Sequence, residues 1–362
     1  MAGSSAGHTA GWAWASPLAA LAVLGASAFF GLPGPLAIIA AAALIAAVFA
    51  AVYHAEVVAH RVGEPFGTLI LALAVTVIES ALIVSMMLSA GDNSGLARDT
   101  VFAAVMIICN GLVGLCLLSG GIRHHEQGFQ LAGALAALAV LAALTVLTLV
   151  VPNVTTSTPG PVFTPPQLIF AACASLVLYG SFVFVQTVRH RDYFLPPVGA
   201  ESEEAHAPPP ASGVSFRSFA LLVASLVAVI GLAKTLSPML ETGVAGIGAP
   251  RAVVGILIAA LVLMPESLAA WRAAKANRLQ TSMNLALGSA LASIGLTIPA
   301  VAVVSILLGQ PLALGLGPTE SVLLALTLLV AVITLGTGRT TVLQGIVHLV
   351  IFAAFIFFAV VP

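Results

Sequence analysis

Charged residues are scarce in this sequence: Asp, Glu, Lys and Arg make up 7% of its 362 residues. Soluble domains carry about 25% charged residues, so this composition argues against a soluble enzyme or binding module. The formal net charge of −1 gives no electrostatic basis for binding nucleic acid. Because hydrophobic residues reach 60%, the composition is instead typical of a polytopic membrane protein embedded in a lipid bilayer.

Cysteine is also scarce, and the motifs of common enzymes are missing. Cys109, Cys116 and Cys173 all lie in apolar runs, without the spacing of a metal site or of a disulfide framework. We interpret them as small hydrophobic residues. The sequence contains no phosphate loop, serine nucleophile elbow or zinc motif. We therefore expect a protein that is not an enzyme and needs no cofactor.

Basic residues are absent from the beginning of the chain. Residues 1–15 contain no Lys or Arg, so the cationic segment that opens a secretory signal peptide is missing. We expect the apolar stretch Pro17–Phe30 that follows to be a first transmembrane helix.

Long apolar runs dominate the rest of the sequence. A membrane-spanning helix needs about 20 predominantly apolar residues, and clusters of Gly, Pro, Asn and Ser separate most of the runs that reach this length. We predict an all-α polytopic membrane protein with eleven transmembrane helices. The predicted spans are 15–31, 34–55, 66–90, 98–119, 129–151, 166–188, 216–237, 250–271, 281–308, 319–336 and 341–361.

One long polar stretch divides these spans into two sets of five. Residues 189–215 are rich in Glu and Pro, a composition that predicts a flexible cytoplasmic linker. We predict an N-terminal segment with the leading helix at 1–33, a first five-helix repeat at 34–188 and a second at 216–362. Because five is an odd number, the two repeats must insert in opposite orientations, as in many secondary transporters.

The positions of Lys and Arg orient the chain in the membrane. With a cytoplasmic N-terminus, the cytoplasmic loops hold Arg61, Arg123, Arg189, Arg191, Arg217, Arg272, Lys275, Arg278 and Arg339. The outer loops then hold only Arg98 and Arg251. By the positive-inside rule, this asymmetry sets the orientation of the chain in the membrane. Its N-terminus is predicted to be cytoplasmic and its C-terminus periplasmic or extracellular.

Two glutamates lie where acidic residues are rare. Glu79 and Glu266 each follow a long run of nearly uncharged residues, although a lone acid at bilayer depth costs roughly 2.5–3.5 kcal/mol on insertion scales. When the two runs are aligned on these acids, Ala72, Val75 and Ser80 fall opposite Ala259, Val262 and Ser267. The repetition indicates one symmetric site, at which the two repeats bring Glu79 and Glu266 together near the middle of the membrane.

The two acids favour a site for cations and protons. The structural alternative is an ion pair with a buried base, but the only cation predicted inside a span is Lys234, near a helix end where its side chain can reach water. Without a basic partner the acids must share protons or bind a metal cation, and hard carboxylate oxygens suit Ca²⁺ or Na⁺. In a dry site, desolvation and like-charge repulsion favour protonation, so protons compete with the cation. A site that holds either a cation or protons is the minimal basis of a cation/proton antiporter.

Polar residues next to the acids in sequence could supply further ligands. Ser80 and Ser267 directly follow the two acids. Thr76 lies three residues before the first acid, on the same helix face. Pro265 directly precedes the second acid and frees a backbone carbonyl one turn away, unless it only kinks the helix.

Other polar residues lie within or at the mouth of the predicted spans. Asn110, Asn284 and Ser289 place amide and hydroxyl oxygens at depth, beside small residues that also suit helix packing. Glu64 lies at the cytoplasmic mouth of the third span, where it is either a proton relay or a solvated acid at a helix start. His348 is embedded in the last span, where proton handling is a further hypothesis.

Four stretches of the sequence resemble the conserved segments of one family. They are Arg61-Val-Gly63-Glu64-Pro65-Phe-Gly67-Thr-Leu-Ile-Leu, Gly120-Gly121-Ile-Arg123-His-His-Glu126-Gln127-Gly-Phe129, Met264-Pro265-Glu266-Ser267 with Met283-Asn284-Leu-Ala-Leu-Gly288-Ser289, and Thr337-Gly338-Arg339-Thr-Thr-Val-Leu343-Gln344-Gly345. In this order and in both halves, they are similar to the cation/proton exchanger (CAX) family, and most of all to its bacterial ChaA-type branch.

The resemblance implies a function and a pair of site residues. It implies eleven helices with an inverted repeat of five, and export of Ca²⁺, in this branch also of Na⁺ or K⁺, in exchange for protons. The family's two central glutamates correspond by position to Glu79 and Glu266. Many calcium exchangers have Gly-Asn-x-x-Glu before each central acid, whereas Val75-Thr-Val-Ile and Leu263-Met-Pro stand here. Gln344 stands where many members have an acid.

We therefore predict a secondary active antiporter that exports Ca²⁺, with Na⁺ and K⁺ as further candidate cargo, in exchange for protons. One alternative is a monovalent Na⁺(K⁺)/H⁺ antiporter with little Ca²⁺ activity. A passive cation channel would also use acidic residues, but it would move cations without proton coupling and usually forms its pore from several subunits. A membrane enzyme would need a nucleophile or a metal cluster.

Overall fold

The computed structural model describes residues 11–63, 66–87, 94–195 and 210–361. In these residues the chain is almost wholly helical, and eleven of its helical segments are long and apolar enough to cross a membrane. The prediction of an all-α polytopic membrane protein with eleven transmembrane helices is confirmed.

Twelve α-helices form these eleven segments in the described residues, because one span contains two of them. The helices are α1 Gly11–Phe30, α2 Gly34–Val62, α3 Phe66–Met87, α4 Leu96–Met106, α5 Val113–His124, α6 Leu131–Thr145, α7 Pro165–Phe184, α8 Ser212–Gly246, α9 Ala252–Lys275, α10 Leu279–Leu308, α11 Pro318–Leu335 and α12 Val342–Val360. A π-helical turn, Ile107–Leu112, joins α4 and α5. Two short strands, β1 Gln127–Gly128 and β2 Arg339–Thr340, pair antiparallel.

Local sequence signals explain several helix ends. α7 and α12 each begin with a capping box, formed by Thr164 with Gln167 and by Thr341 with Gln344. In such a box the two side chains satisfy backbone groups that the first helical turn leaves free. Gly309 ends α10 in the left-handed conformation, with φ of 63°, which glycine adopts without a steric penalty. Gln344 therefore has a structural role at the start of α12.

Two helices extend beyond their predicted ends. The sequence ends the second span at residue 55, whereas α2 continues to Val62 and stops at Gly63, whose N–H bonds to the Ala59 carbonyl over 2.9 Å. The sequence ends the seventh span before Pro238, whereas α8 runs through this proline to Gly246. Proline weakens a helix but does not always end it when other helices support the chain. α8 also begins at Ser212, inside the predicted linker, and residues 196–209 of that linker lie outside the described residues.

Residue contacts divide the chain into two compact units. The first unit comprises Met1–Met86 with Glu201–Gly243, and the second comprises Met87–Ala200 with Val244–Pro362. Each unit therefore combines chain from both of the predicted repeats.

Within the first unit, α1 packs against α2. His54 of α2 is fully buried, and its Nε2 lies 2.9 Å from the carbonyl oxygen of Ala13 in α1. The span predicted from the sequence ends one residue after His54, whereas α2 continues to Val62, so His54 lies inside the helix. Arg61 hydrogen-bonds the Pro210 carbonyl over 3.1 Å and the Ser212 hydroxyl over 2.9 Å, so the end of α2 is tied to the start of α8.

Within the second unit, α10 packs against α7 and α9, and α12 packs against α5. The segment after α5 is joined to the end of α9 and to the loop that follows it, because the Gln127 side chain donates to the Ala274 carbonyl over 3.0 Å and to Asn277 Oδ1 over 2.9 Å. His124 Nε2 lies 3.0 Å from the Lys275 carbonyl oxygen. These polar contacts hold one end of the helices that carry the candidate site residues.

Candidate ion-binding residues

Glu79 lies on α3 in the first unit and is almost fully buried, with 2% of its surface exposed. Thr76, one turn earlier on the same helix, is buried as well, and Ser80 is half-buried. The sequence of α3 is otherwise almost wholly apolar. Burying a carboxylate there is costly unless a proton, a cation or a hydrogen-bonding group compensates its charge. The position of Glu79 therefore fits a residue that binds cations and protons.

Glu266 lies on α9 in the second unit and is half-buried. α9 continues through Pro265, directly before the acid. Since proline has no N–H and its ring crowds the carbonyl four residues earlier, the carbonyl of Leu261 is released from the helical hydrogen-bond ladder. Ser267, directly after the acid, is half-buried too. Carboxylate, hydroxyl and carbonyl oxygens thus follow one another along α9, and oxygen is the ligand that hard cations such as Ca²⁺ prefer.

Asn110 lies on the π-helical turn Ile107–Leu112 and is fully buried. Its Nδ2 donates a hydrogen bond to Thr327 Oγ1 on α11 over 2.8 Å, and its Oδ1 lies 3.2 Å from His348 Nδ1 on α12. π-helical turns inside α-helices are rare and often occur at functional sites. Asn110 is therefore placed on an irregular backbone segment, and two neighbouring helices hold its side chain.

His348 and Asn110 are brought together, which the sequence does not predict. His348 is fully buried in α12, as its position in an apolar span indicates. Thr327 completes this group, and sequence reasoning missed it. It is also fully buried, and its hydroxyl donates to the Leu323 carbonyl over 2.7 Å. The available signal was a hydroxyl within the apolar run of α11.

Asn284 and Ser289 lie on α10 in different surroundings. The Asn284 amide is engaged on both sides: Nδ2 donates to the Phe194 carbonyl over 2.6 Å, and Oδ1 accepts from Gln280 over 2.9 Å. Asn284 thus anchors the short 3₁₀ turn Arg191–Phe194 that follows α7. Ser289 is half-buried beside Gly288, and a Cβ placed on Gly288 would have no neighbour within 4 Å.

Glu64, the predicted relay, lies outside the described residues. Across the described ranges, the structure contains no group of three or more His, Cys, Asp or Glu side chains that could hold a metal ion. Cys109 and Cys116 are buried, in keeping with their interpretation as small hydrophobic residues, whereas Cys173 is exposed.

Comparison with known proteins places most of the chain in one family. The family model described as “Sodium/calcium exchanger protein” matches residues 34–188 and 217–361. The chain belongs to this family. A Sinorhizobium fredii protein, y4hA, which is provisionally described as an ionic transporter, is 51% identical to this exchanger over 98% of this chain and 97% of its own length. The sodium-potassium/proton antiporter ChaA of Escherichia coli is 36% identical over 86% of this chain and 85% of its own length.

The fold of this exchanger agrees with that of a solved protein. A crystal structure of the H⁺/Ca²⁺ exchanger CAX covers 95% of this chain and 88% of its own chain, with a TM-score of 0.72 and 16% sequence identity. At this identity the agreement concerns the fold. The resemblance of the sequence to cation/proton exchangers is confirmed, and the family consists of cation antiporters of the membrane rather than of enzymes.

Proposed function

We propose that this exchanger exports Ca²⁺ in exchange for protons, with Na⁺ and K⁺ as further cargo, and that Glu79 and Glu266 alternately bind the cation and the protons. The observation that carries the proposal is a carboxylate, Glu79, buried to 2% exposure in an apolar helix of an exchanger-family chain. The names of its relatives support it, since ChaA is a sodium-potassium/proton antiporter and the fold matches that of an H⁺/Ca²⁺ exchanger.

The physical basis of coupling is charge compensation. Two carboxylates in an apolar environment carry a large desolvation cost while both are ionised and bare. Binding of a divalent cation, of monovalent cations or of protons removes this desolvation cost. Two ionised carboxylates with nothing bound retain it. Movement of the site across the membrane is then favourable only when it is loaded with one or the other. Export of a cation in one step and import of protons in the return step follow from this condition.

Other residues are assigned roles within the same proposal. Thr76, Ser80 and Ser267 provide hydroxyl oxygens close in sequence to the two acids, and Ser289 provides another on α10. Asn110 provides an amide oxygen from the π-helical turn. Asn284 has a structural role, because both ends of its amide are used within the protein. Glu64 remains a proposed proton relay at the cytoplasmic mouth.

The two-repeat organisation is also part of the proposal. The family model matches residues 34–188 and 217–361 as two separate segments, which supports repeats at 34–188 and 216–362 joined by the cytoplasmic linker 189–215. Opposite insertion of two such repeats places the ion site near the middle of the membrane. The bacterial sources of both relatives support a location in the bacterial inner membrane, and the distribution of Lys and Arg supports a cytoplasmic N-terminus.

A second candidate function is monovalent cation/proton exchange with little transport of Ca²⁺. Two observations favour it: the name of ChaA, the 36% identical relative, and the absence of the Gly-Asn-x-x segment before both acids. Loss of amide oxygens lowers the number of ligands available to Ca²⁺, which takes six to eight oxygens. Na⁺ and K⁺ need fewer strongly charged ligands.

Cation substitution in everted membrane vesicles tests the proposal. After respiration has acidified the vesicle interior, each cation is added separately, and recovery of a fluorescent pH probe reports proton efflux. We expect Ca²⁺ to dissipate the pH gradient, and Na⁺ or K⁺ to do so as well. Dissipation by Na⁺ and K⁺ alone would select the monovalent function. Cation movement that follows the membrane voltage without moving protons would indicate a channel and contradict both functions.

A further inference from the structure

The buried side chains of Asn110, Thr327 and His348 form a hydrogen-bonded chain across three helical segments of the second unit. Each of the three side chains is fully buried. Asn110 Nδ2 lies 2.8 Å from Thr327 Oγ1, and Asn110 Oδ1 lies 3.2 Å from His348 Nδ1. Met106 Sδ, one turn before Asn110, completes the contacts of the amide nitrogen at 3.8 Å.

Hydrogen counting assigns a direction to this chain. Thr327 has one hydroxyl hydrogen, and the two acceptors for it are the Leu323 carbonyl at 2.7 Å and the weaker acceptor Met106 Sδ at 3.4 Å. Thr327 must therefore accept from Asn110, so the amide nitrogen faces Thr327 and the amide oxygen faces His348. Because that oxygen can only accept, His348 Nδ1 carries the hydrogen. In a neutral ring the other nitrogen, Nε2, then holds a lone pair, and Nε2 is buried with no hydrogen-bond partner in the described residues.

Two glycines allow α12 to approach closely enough for this contact. A Cβ on Gly111 would lie 3.3 Å from the ring of Phe352, and a Cβ on Gly114 would lie 3.0 Å from the Cβ of His348. Small residues at a helix crossing permit such close approach in membrane proteins. The π-helical turn and α12 are therefore packed tightly, which brings the side chains of His348 and Asn110 within reach of each other.

We propose that His348 is a positioning residue that acts as an uncharged Nδ1–H donor, fixes the orientation of the Asn110 amide oxygen, and thereby sets the apparent affinity of the exchanger for its cation. This inference rests on the proposed function, in which Asn110 contributes an oxygen to the cation site. An amide oxygen has two lone pairs, so one remains for a cation after His348 has donated to the other. Thr327 holds the opposite end of the amide, which prevents it from turning over.

The surroundings of His348 favour positioning over proton relay. The ring faces the backbone carbonyl of Cys109 as well as Asn110. Among the described residues, the titratable groups on the helices packed against α12 include Cys109, Cys116 on α5, Glu320 at the start of α11 and Glu266 on α9. No salt bridge to His348 forms in the described part of the chain. A buried imidazolium without a paired carboxylate is unfavourable, so the ring remains neutral while it holds Asn110.

Variants of His348 test this role through cation KM, maximal rate and pH profile in the vesicle assay. H348L removes the donor, and we expect its KM for the cation to rise about tenfold, the size of effect produced by one lost buried hydrogen bond, with a maximal rate within about twofold of the original. H348N keeps a donor nitrogen at the place of Nδ1 and cannot titrate. It is expected to restore KM to within about threefold, with an unchanged pH profile. H348Q, whose nitrogen lies at the place of Nε2, should behave like H348L.

The outcomes separate this role from the proposed function. If H348L has the same cation KM as the original protein while Glu79→Gln is inactive, the role of His348 is overturned and the proposed function stands. A pH profile shifted in H348N would show that His348 carries protons and would also overturn it. If H348L is not inserted in the membrane, H348Q and T327V replace it in the test. T327V removes the hydroxyl that accepts from Asn110 Nδ2, and both variants must raise the cation KM. Unchanged exchange in Glu79→Gln would overturn the proposed function instead.

Discussion

Replacement of Glu79 by Gln is expected to lower cation-dependent proton movement by at least about 100-fold. Glutamine keeps the shape and polarity of the side chain, but it carries no charge and cannot take up a proton. Removing one member of a compensated buried charge costs about 3–5 kcal/mol, and each 1.4 kcal/mol corresponds to a factor of about ten. Glu266→Gln should have a similar effect, although its side chain is only half-buried. Both effects are measured as initial rates of pH-gradient dissipation in everted vesicles.

A matched control is available on the protein surface. Glu126 lies in an exposed ion pair, with Glu126 Oε1 3.1 Å from Arg339 Nη1. Exposed ion pairs contribute about 0–1 kcal/mol, so Glu126→Gln should retain nearly full activity. Equal amounts of each variant in the membrane, checked by immunoblot, make the rates comparable. Activity of Glu79→Gln close to that of Glu126→Gln would show that Glu79 does not bind the transported ions.

A second large effect is expected from pH. If protons and the cation occupy the same carboxylates, acidification must raise the apparent KM for the cation and leave the rate at saturating cation nearly unchanged. One competing proton raises KM about tenfold for each pH unit over the range in which the carboxylates titrate, and two raise it by up to about 100-fold. The sign is fixed, because lower pH populates the protonated form that the cation must displace. Initial rates at several cation concentrations and pH values measure the slope.

This pH effect has its own internal check. H348N should show the same slope as the original protein, because His348 is assigned no proton in the cycle. A KM that does not change with pH, combined with a changing maximal rate, would mean that the proton and the cation bind at separate places. That result would contradict competition for Glu79 and Glu266.

Most of the fold could be predicted from the sequence because membrane helices leave a strong compositional signal. Apolar runs of sufficient length located all eleven spans, and Gly/Pro clusters located most of their ends. The errors occur where tertiary support overrides a local signal. Pro238 suggests a helix end, yet α8 continues through it. The predicted second span ends at residue 55, yet α2 continues to Val62, and His54 Nε2 lies 2.9 Å from the Ala13 carbonyl oxygen of α1.

The candidate site could be predicted in part. Glu79 stands out because an acid in an apolar run is costly, and the structure confirms that it is buried. The hydrogen bonds that join Asn110 to Thr327 and His348 could not be predicted. Asn110 is more than 200 positions from both residues, and only the packing of α11 and α12 against its π-helical turn brings the three side chains together. A π-helical turn has no reliable sequence signal either. The meeting of Glu79 and Glu266 at one site stays a prediction.

The most direct test of the central claim is a measurement of proton release on cation binding. The purified protein in a weakly buffered detergent solution receives Ca²⁺, Na⁺ or K⁺, and a pH-sensitive dye records the protons set free. The original protein is expected to release protons as the transported cation binds, and Glu79→Gln should release far fewer. Binding of the cation without release of protons, or equal release from Glu79→Gln, would contradict the claim that the cation and the protons share Glu79.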